Sequence, residues 1–208
     1  MTLMKRTSCI LFDVGGVLIN WKNRWLIDEI SKKYGLDKHQ LYEEFSKCLP
    51  LLYGGKINEK QFWNKISNKI NSPNLSNITN SLFDEIFRKY ASINVPLVNL
   101  AQQIKESGIK IGLLANTESA KFEVVKEMIP IQNFDFVFLS YEIGFVKPDM
   151  KLYQYVLKRL PFQSDEIIFI DDRKSNVEAA KQCGIEAIEF FGLDELMEEL
   201  TTRKILKI

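Results

Sequence analysis

Carboxylates, an amine and small hydrogen-bonding side chains follow four separate apolar segments of this 208-residue chain. Each segment is short, and its apolar character predicts a buried strand. Ligands of open α/β sheets bind beyond the carboxyl ends of the strands, so residues that follow the strands are expected to meet in one crevice. The residues delivered there are Asp13, Asn116, Thr117, Ser140, Tyr141, Lys147, Asp171 and Asp172.

Three of these side chains, Asp13, Asp171 and Asp172, are carboxylates. A single Asp at a strand end is more often a turn or helix-capping residue, but convergence from several strands favours a site. Carboxylates that meet with only one lysine repel one another, and one of them takes up a proton unless a cation binds. Mg²⁺ prefers oxygen ligands and usually binds through one or two carboxylates and phosphate oxygens. The sequence therefore predicts a Mg²⁺ site, and the turn at Asn116 and Thr117 opens a helix whose backbone N–H groups suit a phosphate.

The elements that position these residues alternate between strands and helices after Pro96. Continuous apolar strands separated by helices indicate a parallel sheet with both faces covered, and we therefore expect an α/β, Rossmann-like core. The predicted strands are 9–12, 110–115, 134–139, 166–170 and 186–190, and the predicted helices between and after them are 97–106, 119–128, 150–160, 176–183 and 194–201.

A segment of different composition interrupts this pattern after the first strand. It is rich in Lys, Asn, Glu and Ser, and its apolar residues recur at helical spacing, which predicts about four helices and no strand. We therefore expect a core formed by residues 1–19 and 91–208, with a small α-helical cap at residues 20–90. Trp21, Arg24 and Tyr53 are candidates to face the crevice, with Arg24 as an anion anchor. Packing roles for the two aromatic residues and a surface role for Arg24 are the commoner outcome for such residues.

Composition and charge argue against several functional classes. The chain has 28 Lys and Arg residues against 27 Asp and Glu residues, so neither a basic nucleic-acid surface nor an acidic tail is indicated. No apolar run is long enough to span a bilayer, and we expect no membrane partner. Three widely spaced cysteines and the lack of a signal-peptide core fit a reducing compartment, so we expect a cytoplasmic protein. A monomer is the simplest expectation for its oligomeric state.

Four motifs, in the expected order, resemble those of the haloacid dehalogenase (HAD) superfamily. They are residues 12–18, 112–117, 144–149 and 168–173, the last followed by Asn176, Ala179 and Ala180. The helical insertion after the first motif resembles the small helical cap of that superfamily. Within it, the fragment 55–58 before Phe62 is similar to the branch that contains bacterial sugar-phosphate phosphatases and the phosphatase domain of soluble epoxide hydrolase.

This resemblance implies a Mg²⁺-dependent phosphatase that hydrolyses a small phosphate monoester, such as a sugar phosphate, through an aspartyl-phosphate on Asp13. Its Mg²⁺ would be held by Asp13, the backbone carbonyl of Gly15 and Asp172, with Asp171 close by. Lys147 would neutralise the nucleophile and the transferring phosphoryl group. The implied substrate contacts are Asn116, which binds a phosphate oxygen, with Thr117, Gly16 and Arg24.

Two positions depart from the pattern of the family. Gly15 stands where most phosphatases of the superfamily have a second Asp as general acid and base, although some relatives in this branch also have glycine there. A missing general acid typically costs about 10²–10⁴ in rate. Ala115 stands where Ser or Thr is usual, which removes one hydrogen bond to the phosphoryl group.

These departures leave two alternatives open. The first is 2-haloacid dehalogenation, which needs no metal and is compatible with Gly15, although such enzymes usually have an aromatic residue there and lack the paired carboxylates. The second is a non-catalytic binding module that has kept the fold.

Overall fold

The computed structural model describes residues 7–206 and is built around a five-stranded sheet. The strands are β1 (Cys9–Phe12), β2 (Ile19–Asn20), β3 (Ser92–Ile93), β4 (Lys110–Ala115), β5 (Phe136–Leu139), β6 (Ile167–Asp171) and β7 (Glu186–Glu189). The large sheet has the order β5-β4-β1-β6-β7, and every neighbouring pair in it is parallel. The predicted parallel α/β fold is therefore confirmed.

Helices cover both faces of this sheet and form the segment between β2 and β3. They are α1 (Asn23–Tyr34), α2 (Lys38–Tyr53), α3 (Glu59–Ile70), α4 (Leu82–Tyr90), α5 (Val95–Glu106), α6 (Ser119–Met128), α7 (Ser140–Ile143), α8 (Met150–Leu157), α9 (Lys174–Gln182) and α10 (Leu193–Thr202). Residues of β1 alternate between two apolar clusters, with Ile10 and Phe12 in one and Cys9 and Leu11 in the other. This period of two explains why the whole strand is apolar, since both of its faces are buried.

The central position of β1 sets the level of the site. Phe12 is paired with Leu113 of β4 on one side and with Ile170 of β6 on the other. Residues that follow these positions therefore leave the sheet at nearly the same height. Asp13 comes directly after β1, and Asp171 is the last residue of β6.

The segment between β2 and β3 contains α1 to α4, as the pattern of residues 20–90 predicts. Its interior is an aromatic cluster in which the ring centroids of Phe45 and Phe62 lie 5.3 Å apart and those of Trp63 and Phe83 lie 5.6 Å apart. The antiparallel pair β2–β3 was not predicted, because two-residue strands are too short to show a period. It joins Ile19 to Ile93, beside both predicted limits of the cap, which stay predictions.

Several element ends differ from expectation. The strand predicted over 134–139 begins at Phe136, and the helix predicted over 150–160 ends at Leu157. The single turn α7 was not predicted, because four residues give too little periodicity. Among residues 7–206, no helix combines the length and apolar character needed to cross a membrane.

Candidate active site

The Lys147 ammonium lies at the centre of the carboxylate cluster and is almost completely buried. Its Nζ is 2.8 Å from Asp13 Oδ1 and 2.7 Å from Asp171 Oδ2. It also donates a hydrogen bond of 2.7 Å to the carbonyl of Leu114 in β4. Since an ammonium has three N–H donors, these contacts account for all of them and fix the head group between three strands.

A reciprocal pair of hydrogen bonds holds the backbone of Lys147. Asn116 Nδ2 donates to the Lys147 carbonyl, and the Lys147 N–H donates to Asn116 Oδ1, both at 2.8 Å. Asn116 follows β4 directly, so the end of that strand positions the loop that supplies the lysine. The side-chain amide predicted to bind a phosphate oxygen is therefore already engaged with protein, and its role toward phosphate stays a prediction.

The two adjacent carboxylates after β6 have different surroundings. Asp171 is fully buried, and its oxygens accept hydrogen bonds from Lys147 Nζ and from the Arg173 N–H. The Asn176 side-chain amide donates to both oxygens, at 2.9 and 3.0 Å. Asp172 reaches toward Gly16 instead, where a Cβ would lie 2.3 Å from Asp172 Oδ2. Gly16 has a φ of +98°, so both its backbone and its close approach to Asp172 require glycine.

The donor set fits a magnesium ion. Asp13, Asp171 and Asp172 each offer an oxygen, and these atoms lie within 4.8 Å of one another. Three carboxylates and one ammonium leave two negative charges uncompensated when all are ionised, which matches one divalent cation. Oxygen-only ligands of this kind suit Mg²⁺ better than softer metals.

Electrostatics of the cluster show the same imbalance. Burial raises the pKa of Asp13 to about 7, although the Lys147 ammonium opposes this and Asp171 adds to it. Burial, and then Asp171, raise the pKa of Asp172. Burial alone would lower the pKa of Lys147, but the Asp13 and Asp171 carboxylates outweigh it and raise that pKa. A bound cation would favour the ionised form of the carboxylates.

Three of the backbone N–H donors around the start of α6 are engaged with protein. Glu118 is the N-cap of α6, and its carboxylate accepts hydrogen bonds from the N–H groups of Ala120 and Lys121, each at 2.7 Å. The Thr117 N–H donates to Ser140 Oγ. These three amides are not free, because Ser140 and Glu118 accept their hydrogen bonds, and a phosphate site on the backbone N–H groups of this turn stays a prediction.

The remaining predicted residues lie at the edge of the site or outside the cluster. Gly15 is not among the glycines with a positive φ, and the Cβ of any side chain there would have Trp21 Cδ1 at 3.8 Å as its nearest contact. The Arg24 side chain is 76% exposed, and its Nε lies 3.8 Å from Asp28 Oδ2 on the same helix. Among the described residues, no contact joins Arg24 to Asp13. Its role as an anion anchor stays a prediction.

The sequence did not single out Lys121, which is buried. It lies among aromatic side chains of the segment between β2 and β3, called the cap segment below. Trp21 and Tyr53, both considered as residues facing the crevice, contact its ammonium. The available signal was its position: Lys121 precedes Val125 by one helical turn and so shares the apolar face of α6.

Comparisons with known proteins identify the family of the chain. A family model described as haloacid dehalogenase-like hydrolase matches residues 10–190. The sesquiterpene phosphatase astK of Aspergillus oryzae is 28% identical over 84% of this chain and 85% of its own length. Bifunctional epoxide hydrolase 2 of Rattus norvegicus is 31% identical over 47% of this chain, which spans only 18% of that longer protein. The magnesium complex of a HAD family enzyme from Bacteroides thetaiotaomicron shares the fold, with a TM-score of 0.74, 24% identity, and coverage of 89% of this chain and 94% of that one.

Proposed function

The chain belongs to the haloacid dehalogenase-like hydrolase family, and on that premise we propose that it is a Mg²⁺-dependent phosphatase. Its substrate is a small phosphate monoester, with sugar phosphates among the candidates, and its intermediate is an aspartyl-phosphate on Asp13. The observation that carries this proposal is the convergence of Asp13, Asp171 and Asp172 around the Lys147 ammonium.

The contacts of Asp13 leave one of its carboxylate oxygens available to attack phosphorus. Its Oδ1 accepts a hydrogen bond from the Val14 N–H at 2.7 Å and lies beside Lys147, whereas no described donor contacts Oδ2. In the first step, a bond forms between a carboxylate oxygen of Asp13 and phosphorus, and the ester bond breaks with its electron pair on the leaving oxygen. Water then attacks the aspartyl-phosphate and releases phosphate, so one difficult displacement becomes two easier ones.

The metal ligands we propose are Asp13, the carbonyl of Gly15 and Asp172. Asp171 was also a candidate, but four hydrogen bonds occupy its carboxylate, so we assign it to orienting Lys147. Mg²⁺ at this site would neutralise charge on the transferring phosphoryl group. The magnesium complex of the structurally similar enzyme supports this choice of metal.

Lys147 balances the charge of the nucleophile and of the phosphoryl group, which removes repulsion between two anions before they react. We propose that Asn116 acts through Lys147, whose backbone it holds, and that Gly16 and Thr117 form the wall against which the phosphate lies. Arg24 is our candidate for an anion contact when substrate is bound. A phosphorylated small molecule is the proposed partner, and a cytoplasmic, monomeric protein remains our expectation.

The test is initial-rate hydrolysis of p-nitrophenyl phosphate, with Mg²⁺ and then with excess chelator. We compare the protein with Asp13→Asn and with the control Asp37→Asn, which changes an exposed N-cap for an equally good one. Turnover that needs both metal and Asp13, and that survives in the control, is the expected result. Turnover that persists in Asp13→Asn contradicts the proposal.

Two other outcomes point to the alternatives. Halide release from a 2-haloacid in the presence of chelator would favour dehalogenation, in which Asp13 attacks carbon. Absence of turnover on a broad panel of phosphate esters, together with no Mg²⁺ binding by calorimetry, would favour a binding module.

A further inference from the structure

Lys121 lies in an aromatic cage at the contact between α6 and the cap segment. The cage consists of Trp21, Tyr53, Phe83 and Phe87, whose ring centroids lie 5.4, 5.1, 6.0 and 5.5 Å from Lys121 Nζ. Only 5% of the lysine is exposed. Ring faces attract a cation, but they do not accept its hydrogen bonds as an oxygen does.

The Lys121 ammonium has more N–H donors than the described residues offer acceptors. Tyr53 Oη accepts one hydrogen bond at 2.9 Å, and the interactions of residues 7–206 include no ion pair and no second acceptor for Lys121 Nζ. Two of its three N–H donors therefore remain available. A buried ammonium in this state is costly unless something else accepts those hydrogen bonds.

The acidic groups nearby are committed elsewhere. Both oxygens of Glu118 accept hydrogen bonds from backbone amides of α6. Burial raises the pKa of Glu118, although the Lys121 charge opposes this shift. Glu59 Oε1 accepts hydrogen bonds from the N–H groups of Leu82 and Phe83 at the start of α4. These carboxylates partly compensate the positive charge of Lys121, but neither accepts a hydrogen bond from its ammonium.

The cage adjoins the catalytic crevice through Trp21. One face of this ring receives the Lys121 ammonium, and its Cδ1 atom lies 3.8 Å from the Cβ position of Gly15, two residues after the nucleophile. Lys121 also lies in the first turn of α6, close after the carboxyl end of β4. Trp21 therefore connects Lys121 to the chain segment that directly follows Asp13.

Resting on the phosphatase activity proposed above, we propose that Lys121 is a specificity-determining residue that binds an acidic group on the leaving group of the substrate. That group is a carboxylate or a second phosphate, whose oxygens accept the two free N–H donors. Tyr53 orients the ammonium, and the aromatic faces pack against the carbon skeleton between the two anionic ends. If Lys121 served only packing, replacing it by an apolar side chain of similar length would affect acidic and neutral esters equally.

The test uses pairs of esters that differ in one acidic group: ethyl phosphate against phosphoglycolate, and propyl phosphate against propane-1,3-diol bisphosphate. We expect kcat/KM to favour the acidic member of at least one pair by about tenfold or more, and Lys121→Met to abolish that preference while Lys121→Arg retains part of it. Lys126→Met is the matched control, because Lys126 is exposed on the same helix and pairs with Glu123. The first pair reports a carboxylate, and the second reports a phosphate.

Two results would overturn this role. One is the absence of any preference in the wild-type protein. The other is a loss in Lys121→Met that is equal for both members of every pair, which would mean that Lys121 only docks the cap. Calorimetric binding of the same esters to Asp13→Asn, with and without Lys121→Met, separates this proposal from the catalytic one. A Lys121-dependent affinity for acidic esters supports the anchor even without turnover, and equal affinities refute it.

Discussion

Replacing Gly15 by Asp should place a general acid two residues after Asp13, the proposed nucleophile. The backbone of Gly15 does not have the positive φ that disfavours side chains, and a Cβ there makes only an ordinary van der Waals contact of 3.8 Å with Trp21. The position lies two residues after Asp13, where most phosphatases of the family have the second Asp. We therefore expect the variant to fold and to present a carboxyl group toward the leaving oxygen.

The size of the effect depends on the leaving group. A positioned general acid contributes about 10²–10⁴ in rate, and a hundredfold gain corresponds to about 2.7 kcal/mol of barrier. An alkyl phosphate releases a strongly basic alkoxide that must be protonated, so we expect a gain of at least about 10² in rate. The p-nitrophenolate group leaves without a proton, so its rate should change by less than about threefold.

Steady-state kinetics on both ester types, with saturating Mg²⁺, measure this difference. Gly15→Asn is the control, since it has the same shape and supplies no acidic proton. Gly16→Asp provides the contrasting case, because its Cβ would lie 2.3 Å from Asp172 Oδ2 at a φ of +98° and should abolish activity. Equal gains for Asp and Asn at position 15, or equal gains on both esters, would refute the reasoning.

Two further predictions concern stability. Gly55 and Gly35 both have a φ of +64°, but only at Gly55 would a Cβ meet backbone, 2.2 Å from the Tyr141 carbonyl oxygen. Chemical denaturation should therefore show that Gly35→Ala lowers the free energy of unfolding by about 1 kcal/mol and that Gly55→Ala lowers it by at least twice as much. Similar losses for the two variants would contradict the contact between Gly55 and α7. Burial would raise the pKa of Asp135, but hydrogen bonds from Lys110 Nζ and a backbone N–H lower it overall. The stabilisation by Asp135 is therefore present above its unfolded pKa of about 3.9 and is lost as pH falls through the lower folded value. Asp135→Asn should lower the free energy of unfolding by about 1 kcal/mol at pH 7 and by little at pH 2. An equal loss at both pH values would count against this ion pair.

The sequence predicts the parts of this protein that follow from periodicity. Strand β1 is recognisable because four consecutive apolar residues end at Asp13 and a glycine pair, and the parallel sheet follows from the alternation after Pro96. Since the carboxyl ends of parallel strands share one edge, the meeting of Asp13, Lys147 and Asp171 is also predictable. The helices between β2 and β3 follow from apolar spacing, and the four motifs indicate where to look for the chemistry.

What the sequence leaves open is the allocation of hydrogen-bond partners, which depends on positions in space. Asn116 appears free to bind phosphate until the loop that carries Lys147 is folded against it. The N–H groups of α6 appear available until the Glu118 side chain turns back onto them. Lys121 looks like a surface charge because its cage is assembled from cap residues 34 to 100 positions away.

The two carboxylates after β6 show how a local rule and a tertiary contact together divide roles. Consecutive side chains of an extended segment point in opposite directions, so Asp171 and Asp172 are not expected to serve the same partner. The sequence alone does not say which one meets the lysine. Asn176 decides it, because its amide on the following helix contacts both oxygens of Asp171 and leaves Asp172 to approach Gly16. Asp171 thereby fixes the Lys147 ammonium beside Asp13, and Asp172 is left as the carboxylate that we propose binds the cation.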